Sequence, residues 1–473
     1  MLKKLQSLLS SNYFIQASLF YILGTFFLQG ISFLTTPIFT RVLLPSDFGV
    51  TSVFSTWVTF FAVFIAAQVS GSIAPSRIHM TEERFHSYLK NIIYLGILCA
   101  AALSVLCLVF RIQLSRWLQI EPAMMLHLLI QAYGSALSTF YTTYLIQTKK
   151  PKQQIVFSIL VAVITTVMGL ALVLSIQNGK YWGKILAGTA VNAVIILYVL
   201  IYFLPFKSSN TIFKDWKYCL RLSMPLIVHL LANIIIGQSS RVILTELLGE
   251  AETGRYYVAY NIGIIGMLFV EACSKAWTPW YLDNTQKRDT LLVNRFSKLF
   301  VGVSACAFAG VALFTPEILK IMAPESYWGT SSTTLLIIFS VFFQFLYRFP
   351  LGYEQYCQNM KWVAACTLVT AFVNVRLNYI FIPMFGMLGA GLASVFSYLL
   401  LFLLHEIVAR VIIKDYNISF SSYLPGIAGC AGMVLAAYML LEMNFVRYIL
   451  LAITIMVFFK LVFSFANRNQ QSR

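Results

Sequence analysis

Residues 372–402 read FVNVRLNYIFIPMFGMLGAGLASVFSYLLLF, with Arg376 as the only charge. Two apolar runs flank Pro383, Gly386 and the Gly389–Ala390–Gly391 triplet. Proline disfavours helix continuation and glycine permits a tight, close-packed turn. The stretch therefore predicts two helices, near 363–383 and 387–412, joined by a short turn. Each is about long enough to cross a hydrocarbon layer of roughly 30 Å, which takes about 20 apolar helical residues. The same ruler, moved outward, places helices near 14–39, 47–74, 91–111, 122–147, 154–176 and 183–204. It continues with 221–248, 254–282, 296–322 and 330–356, and ends with 425–441 and 446–465, about fourteen crossings in all. The first apolar stretch follows a basic start, MLKK, and is far longer than the core of a cleaved signal, so it reads as a retained transmembrane helix.

Composition points the same way. Of 473 residues, 59% are hydrophobic and only 11% charged, too few charges to coat a chain of this length in water. No predicted loop is long enough to fold alone; the largest, 75–90, is PSRIHMTEERFHSYLK. A soluble catalytic domain is excluded, and no GxxxxGK[ST] loop marks nucleotide hydrolysis. The eight cysteines lie in or beside apolar runs, none as CxxC, and no histidines stand at metal-ligand spacing; they read as small apolar filler. No metal or other cofactor is implied.

The basic residues set an orientation. With both ends cytoplasmic, 22 Lys and Arg face inward, among them Lys149, Lys150, Lys152, Lys287 and Arg288, and nine face outward. That asymmetry follows the positive-inside rule and fits an even helix count. It also accounts for the formal charge of +17 without nucleic acid as a partner. Six tryptophans, Trp117, Trp182, Trp216, Trp280, Trp328 and Trp362, fall near predicted helix ends, where an amphipathic ring prefers the interface.

A repeat divides the chain. TRVLLPSDFGVTSVF (40–54) and SRVILTELLGEAETGRYYVAY (240–260) each carry an Arg, an apolar triplet, and then an acidic turn with Gly. Arg41 and Arg241 stand six predicted helices apart in the same orientation. The expected organisation is two parallel six-helix lobes, 1–206 and 207–412, followed by two further helices and a cytoplasmic tail, 413–473. Parallel repeats are a transporter architecture, with substrate held between the halves near the bilayer midplane.

The repeat arms and the 372–402 run, with Asn378–Tyr379, Ile382–Pro383 and Gly386, resemble the polysaccharide repeat-unit (Wzx-type) flippases of the multidrug/oligosaccharidyl-lipid/polysaccharide exporter superfamily. YWGTSS (327–332) is a weaker echo. The resemblance implies an all-α, V-shaped, two-lobed fold like that of the multidrug exporters of the superfamily, with twelve core helices and two more. It also implies a cargo, an undecaprenyl-pyrophosphate-linked oligosaccharide flipped outward across the inner membrane for O-antigen (lipopolysaccharide), capsule or related glycan assembly. A polysaccharide polymerase and chain-length proteins are the implied partners, with membrane lipid. No site motif transfers residue by residue, so candidate residues rest on physics.

Ionisable groups deep in a bilayer are costly and face a partner or a watery cavity. Lys275, Arg348, Arg376 and Arg241 are the deep cations, all in the second half, and suit a pyrophosphate. Neither Arg348 nor Arg376 has an acidic residue one helical turn away. Both are expected to line a cavity between the halves. Glu271 stands at i,i+4 from Lys275, where the two can neutralise each other, and Glu406–Arg410 repeats that spacing near a helix end. Glu271, Glu354 and His229 are the candidates for ion coupling (H+ or Na+) or for polar cavity groups. In the first half, Gln29, Gln68, Gln131 and Tyr141 read as inter-helix hydrogen-bonding groups. An alternating-access flippase leads. A multidrug cation antiporter is the alternative, disfavoured because the mid-membrane excess is basic rather than acidic. A membrane-embedded glycan polymerase or ligase lacks its large outer loop here, so no enzymatic activity is expected.

Overall fold

The computed structural model describes residues 35–203, 205–207, 211–357 and 359–471, with positions 24, 30, 31 and 33 before them. Side chains at 269, 272, 273, 275, 276, 278 and 279, and beyond 463, lie outside the described set. Eighteen α-helices and no strand occur among the described residues. Lipid offers no hydrogen bonds to backbone groups, so a chain this apolar folds with every segment satisfying its own N–H and C=O. The chain divides into two compact units, Met1–Ile234 and Ile235–Arg473.

In the first unit, a helical stretch over 35–42 ends two residues before Leu44, whose N–H donates to the Asp47 carboxylate at 3.1 Å. Pro45 then opens α1, Pro45–Phe64, as suits a residue lacking the N–H a first turn cannot use. Short α2, Ile73–His79, and long α3, Glu82–Val109, follow. Next come α4, Arg111–Leu118, α5, Met124–Gln147, α6, Pro151–Ser175, and α7, Tyr181–Phe203. α5 lies at the centre, packing on α1 and α7, with Phe85, Tyr88, Leu128, Phe140 and Phe203 fully buried. Gln131 and Tyr141 bond across to α7: Gln131 Nε2 donates to Ile185 O at 2.8 Å, and the Tyr141 and Tyr198 hydroxyls lie 2.9 Å apart. Gln29 lies outside the described residues. The first turns of α8, Ile212–Leu248, are fastened through Asp215, which accepts from Arg84 and, at 2.7 Å, from Asn91 Nδ2.

α8 runs on into the second unit and ends at Gly249, with φ +88°. α9, Glu250–Gly263, begins with Glu250 and Glu252 in its first turn. Both repeat arms thus share one local form: a helix carrying Arg, a break, and a new helix with a carboxylate at its positive end. α10, Ile265–Gln286, α11, Thr290–Leu313, and α12, Thr315–Met322, precede α13, Ser331–Leu346, and α14, Arg348–Tyr356. α15, Met360–Phe385, and α16, Met387–Ile407, pack extensively on each other, and α16 also lies along α13. A π-helical turn, Val408–Ile413, continues α16. α17, Leu424–Met439, and α18, Asn444–Gln471, both lean on α11.

Eleven helical stretches among the described residues are long and apolar enough to cross a membrane. Three expected crossings account for the difference from fourteen. The first falls mostly outside the described residues. α5 has the length but carries His127, Gln131 and many hydroxyls. The stretch expected as one helix over 254–282 is broken at Ile264, leaving α9 and α10. Large apolar side chains stand exposed along α6 (Val156, Leu160, Val167, Leu174) and α18 (Phe445, Ile449, Met456, Phe463). In water such faces would be a liability; in a bilayer they are the surface lipid covers.

Candidate functional site

The described cation candidates of the second unit sit in three different environments. Arg241, on α8, is almost fully buried, with its guanidinium carbon 5.0 Å from the ring centroids of both Tyr257 and Tyr260 on α9. Two aromatic faces stabilise a desolvated cation, and Arg241 Nε has no hydrogen-bond partner among the described residues. Arg348 opens α14, and its Nη2 lies 3.5 Å from Glu271 Oε1 on α10. Both partners are about one-third exposed, 35% and 39%, so the pair is partly solvated and long. The sequence spacing left Arg348 without a local carboxylate and assigned Glu271 to Lys275; the fold instead brings Glu271 to Arg348 from a different helix. The Lys275 side chain lies outside the described residues. Arg376 is exposed on α15, 5.5 Å from the Phe372 ring one turn earlier, and no carboxylate lies within ion-pair distance among the described residues. On the same face, the Tyr379 hydroxyl donates to Glu246 at 2.7 Å.

A group of buried and half-buried tyrosines lies beside Arg241 and Arg348. Tyr398 on α16 lies near Tyr256, Tyr260, Tyr347 and Arg348. Hydroxyls next to guanidinium groups are donors of the kind that phosphate or sugar oxygens accept from.

Glu354 and His229 occupy separate places. Glu354, on α14, is fully buried and meets His405 of α16, whose Nδ1 lies 2.9 Å from each carboxylate oxygen. His229 belongs to the first unit, where its Nε2 lies 3.0 Å from Asn233 Nδ2 one turn along α8. Glu406 and Arg410 pair at 2.6 Å, and Arg410 also donates to Ile418 O at 2.7 Å, pinning the segment after the π turn. Sequence reasoning missed His405 and a buried amide network. Asn374 accepts from Ser239 at 2.7 Å and donates to Ser397 at 2.9 Å, while Asn378 donates to Asn374 O at 2.9 Å. The signal was present in the i,i+4 spacing of two asparagines on an apolar helix.

Two apolar grooves open on the exposed faces. One, of about 750 Å³, runs between α5, α6 and α7 in the first unit, with Lys150 at its end. The other, of about 670 Å³, runs between α11, α17 and α18 in the second unit, with Arg295 and Lys298 at its end.

A multi-pass bundle of this order is the fold of solved membrane transporters. The structure superposes on a lipid II flippase, MurJ, in an inward closed conformation with a TM-score of 0.72, covering 96% of this chain and all of that one at 15% identity. An inward-facing multidrug resistance MATE transporter of the MOP superfamily matches with a TM-score of 0.59, over 82% of this chain and 96% of that one, again at 15% identity. The model of the polysaccharide biosynthesis protein family matches residues 14–284, more than half the sequence, and the chain belongs to that family. Among curated relatives, Lsg locus putative protein 1 of Haemophilus influenzae is 22% identical over 79% of this chain and 94% of its own length. A probable low-salt glycan biosynthesis flippase of Haloferax volcanii, Agl15, is 24% identical over 42% of each chain.

Proposed function

We propose that the protein flips an undecaprenyl-pyrophosphate-linked oligosaccharide from the cytoplasmic to the outer leaflet of the inner membrane by alternating access, for surface polysaccharide assembly such as O-antigen. The observation that carries this reading is the set of cations on apolar helices, Arg241 against Tyr257 and Tyr260, Arg376 exposed beside Phe372, and Arg348 held only by a long, partly solvated contact to Glu271. A pyrophosphate can displace such a contact and accept paired donors from the Arg348 guanidinium. The groove capped by Arg295 and Lys298 suits an isoprenoid chain lying beside a basic end. Names of relatives and fold neighbours, glycan and lipid II flippases, support the same cargo class. The working halves are 1–206 and 207–412, with 413–473 added outside, and both ends of the chain are cytoplasmic. A polymerase and chain-length proteins would receive the product.

The test uses the full chain in liposomes, with undecaprenyl-pyrophosphate bearing one fluorescent N-acetylhexosamine as probe and an impermeant quencher as readout. Wild type moves the probe between leaflets. Arg348→Ala and Arg376→Ala slow it by about ten- to a hundredfold, the loss of one charge-assisted contact worth roughly 1.5–3 kcal/mol, and Arg348→Lys recovers part of it, since the fork geometry is lost. Unchanged rates in both Ala variants overturn the site; export of ethidium but not of the probe favours the multidrug antiporter.

A further inference from the structure

The cargo reading leaves one buried ionisable cluster unused. Glu354 lies in the last turns of α14 and His405 in the last turn of α16, with 0% and 1% of their side chains exposed. The 2.9 Å contacts from His405 Nδ1 to both carboxylate oxygens require one proton between the two groups, since neither a bare Nδ1 nor an ionised carboxylate can donate. The ring also stacks on Tyr347, 5.7 Å between centroids, at the joint between α13 and α14. His405 Nε2 is buried and has no hydrogen-bond partner among the described residues. Around the pair, α15 contributes Cys366, close enough to Glu354 to interact electrostatically. α13 contributes no charge beyond the Tyr347 joint, and Glu406 of α16 is occupied by Arg410 of the π turn. Arg348, six residues before Glu354 on the same helix, is engaged by Glu271. Among the described residues, His405 is thus the only ion-pairing partner of Glu354.

Charge counting then assigns the site a ligand. With Nε2 bare, the pair carries one net negative charge at a fully buried position. A proton taken up on the Nε2 lone pair makes an imidazolium–carboxylate pair of zero net charge, and nothing else is made or broken. An isolated buried charge is the costly state, so loading is favoured while the site is closed, and release requires it to open. A hard monovalent cation is poorly served: both carboxylate oxygens already accept from Nδ1, and the next donors are an imidazole nitrogen and a thiol. We propose that Glu354–His405 is a proton-binding site that loads one H+ at His405 Nε2 in each transport cycle, a proposal that rests on the transporter reading above. Two features link it to cargo. α14 carries Glu354 near one end and Arg348 at the other, so displacement at the pair moves the candidate headgroup cation. The π turn Val408–Ile413 begins three residues after His405, and π segments concentrate at functional sites.

The test reads the site first without cargo. The chain has five histidines, so nitrogen-15 histidine spectra of the full protein in lipid nanodiscs can be assigned by the signal lost in His405→Gln. The expected result is that acidification shifts the Nε2 signal of His405 as a newly bound proton does and that Glu354→Gln alters this response. A His405 signal that does not respond to acidification overturns the proposal. In liposomes with trapped pyranine, adding the fluorescent undecaprenyl-pyrophosphate probe should move protons with wild type and at least about tenfold slower with Glu354→Gln or His405→Gln. Proton movement at the wild-type rate in both variants also overturns it. If wild type moves no probe yet Nε2 titrates, the flippase reading falls and the proton site stands.

Discussion

Arg447, on α18, has no exposed surface, and its guanidinium donates to Glu317 of α12, to Leu441 O at 2.7 Å and to Asn444 Oδ1 at 2.8 Å. A buried ion pair adds little net stability, but breaking one strands a charge and costs about 3–5 kcal/mol. Glu317→Leu should therefore lower the thermal midpoint of the purified protein clearly, while Glu317→Leu combined with Arg447→Met should recover most of the loss. A double variant no more stable than the single one would show that the two groups do not act as a pair. The same logic explains which part of the candidate site could be read from sequence. Deep charges such as Arg348 stand out because lipid tolerates few of them. Their partners do not: Glu271 reaches Arg348 from a different helix, and His405 lies 51 residues from Glu354, at separations that no helical spacing encodes. Glu406–Arg410, by contrast, lies one turn apart, and the sequence displays it directly.

At the scale of elements, the turn between α15 and α16 is the most constrained. Pro383 lies inside α15 rather than in the turn, and the chain reverses at Gly386, whose φ of +60° suits glycine. A Cβ on Gly389 would sit 2.1 Å from Phe381 O, and that atom is backbone and cannot swing aside. Gly389→Ala should cost at least the 1–3 kcal/mol or so of overpacking, seen as a lower unfolding midpoint and reduced abundance in membranes. Gly329→Ala, with open space around it, should change neither; equal behaviour of the two variants would refute the close approach. Helices of this kind were legible because their length is dictated by the bilayer. The break at Ile264 was not: NIGIIGM stays apolar through it, and the bend arises where Gly263 and Gly266 abut Ile337 and Phe308, contacts made only in the folded unit.

For the whole molecule, the distribution of Lys and Arg makes the strongest remaining claim. A chain with 22 basic residues on one predicted set of loops and nine on the other is expected to insert with the richer side in the cytoplasm, because translocating those charges is opposed. The structure supplies positions to test. Lys149 and Lys150 sit in the turn between α5 and α6, with Lys149 at φ +58°, and Lys152 is in the first turn of α6. The next turn, between α6 and α7, holds Asn178 and Gly179. If the first of these faces the cytoplasm, the second must face out, since α6 is an apolar helix of 25 residues and covers the hydrocarbon layer at about 1.5 Å per residue. An impermeant maleimide applied to intact cells should therefore label Asn178→Cys, and label Ser209→Cys, beyond α7, only after the membrane is opened. The native cysteines described in the structure are buried or half-buried, so background labelling should be low. Labelling Ser209→Cys from outside, or failure to label Asn178→Cys there, would invert the topology. It would also place Arg295 and Lys298 on the wrong side to meet a cargo made in the cytoplasm.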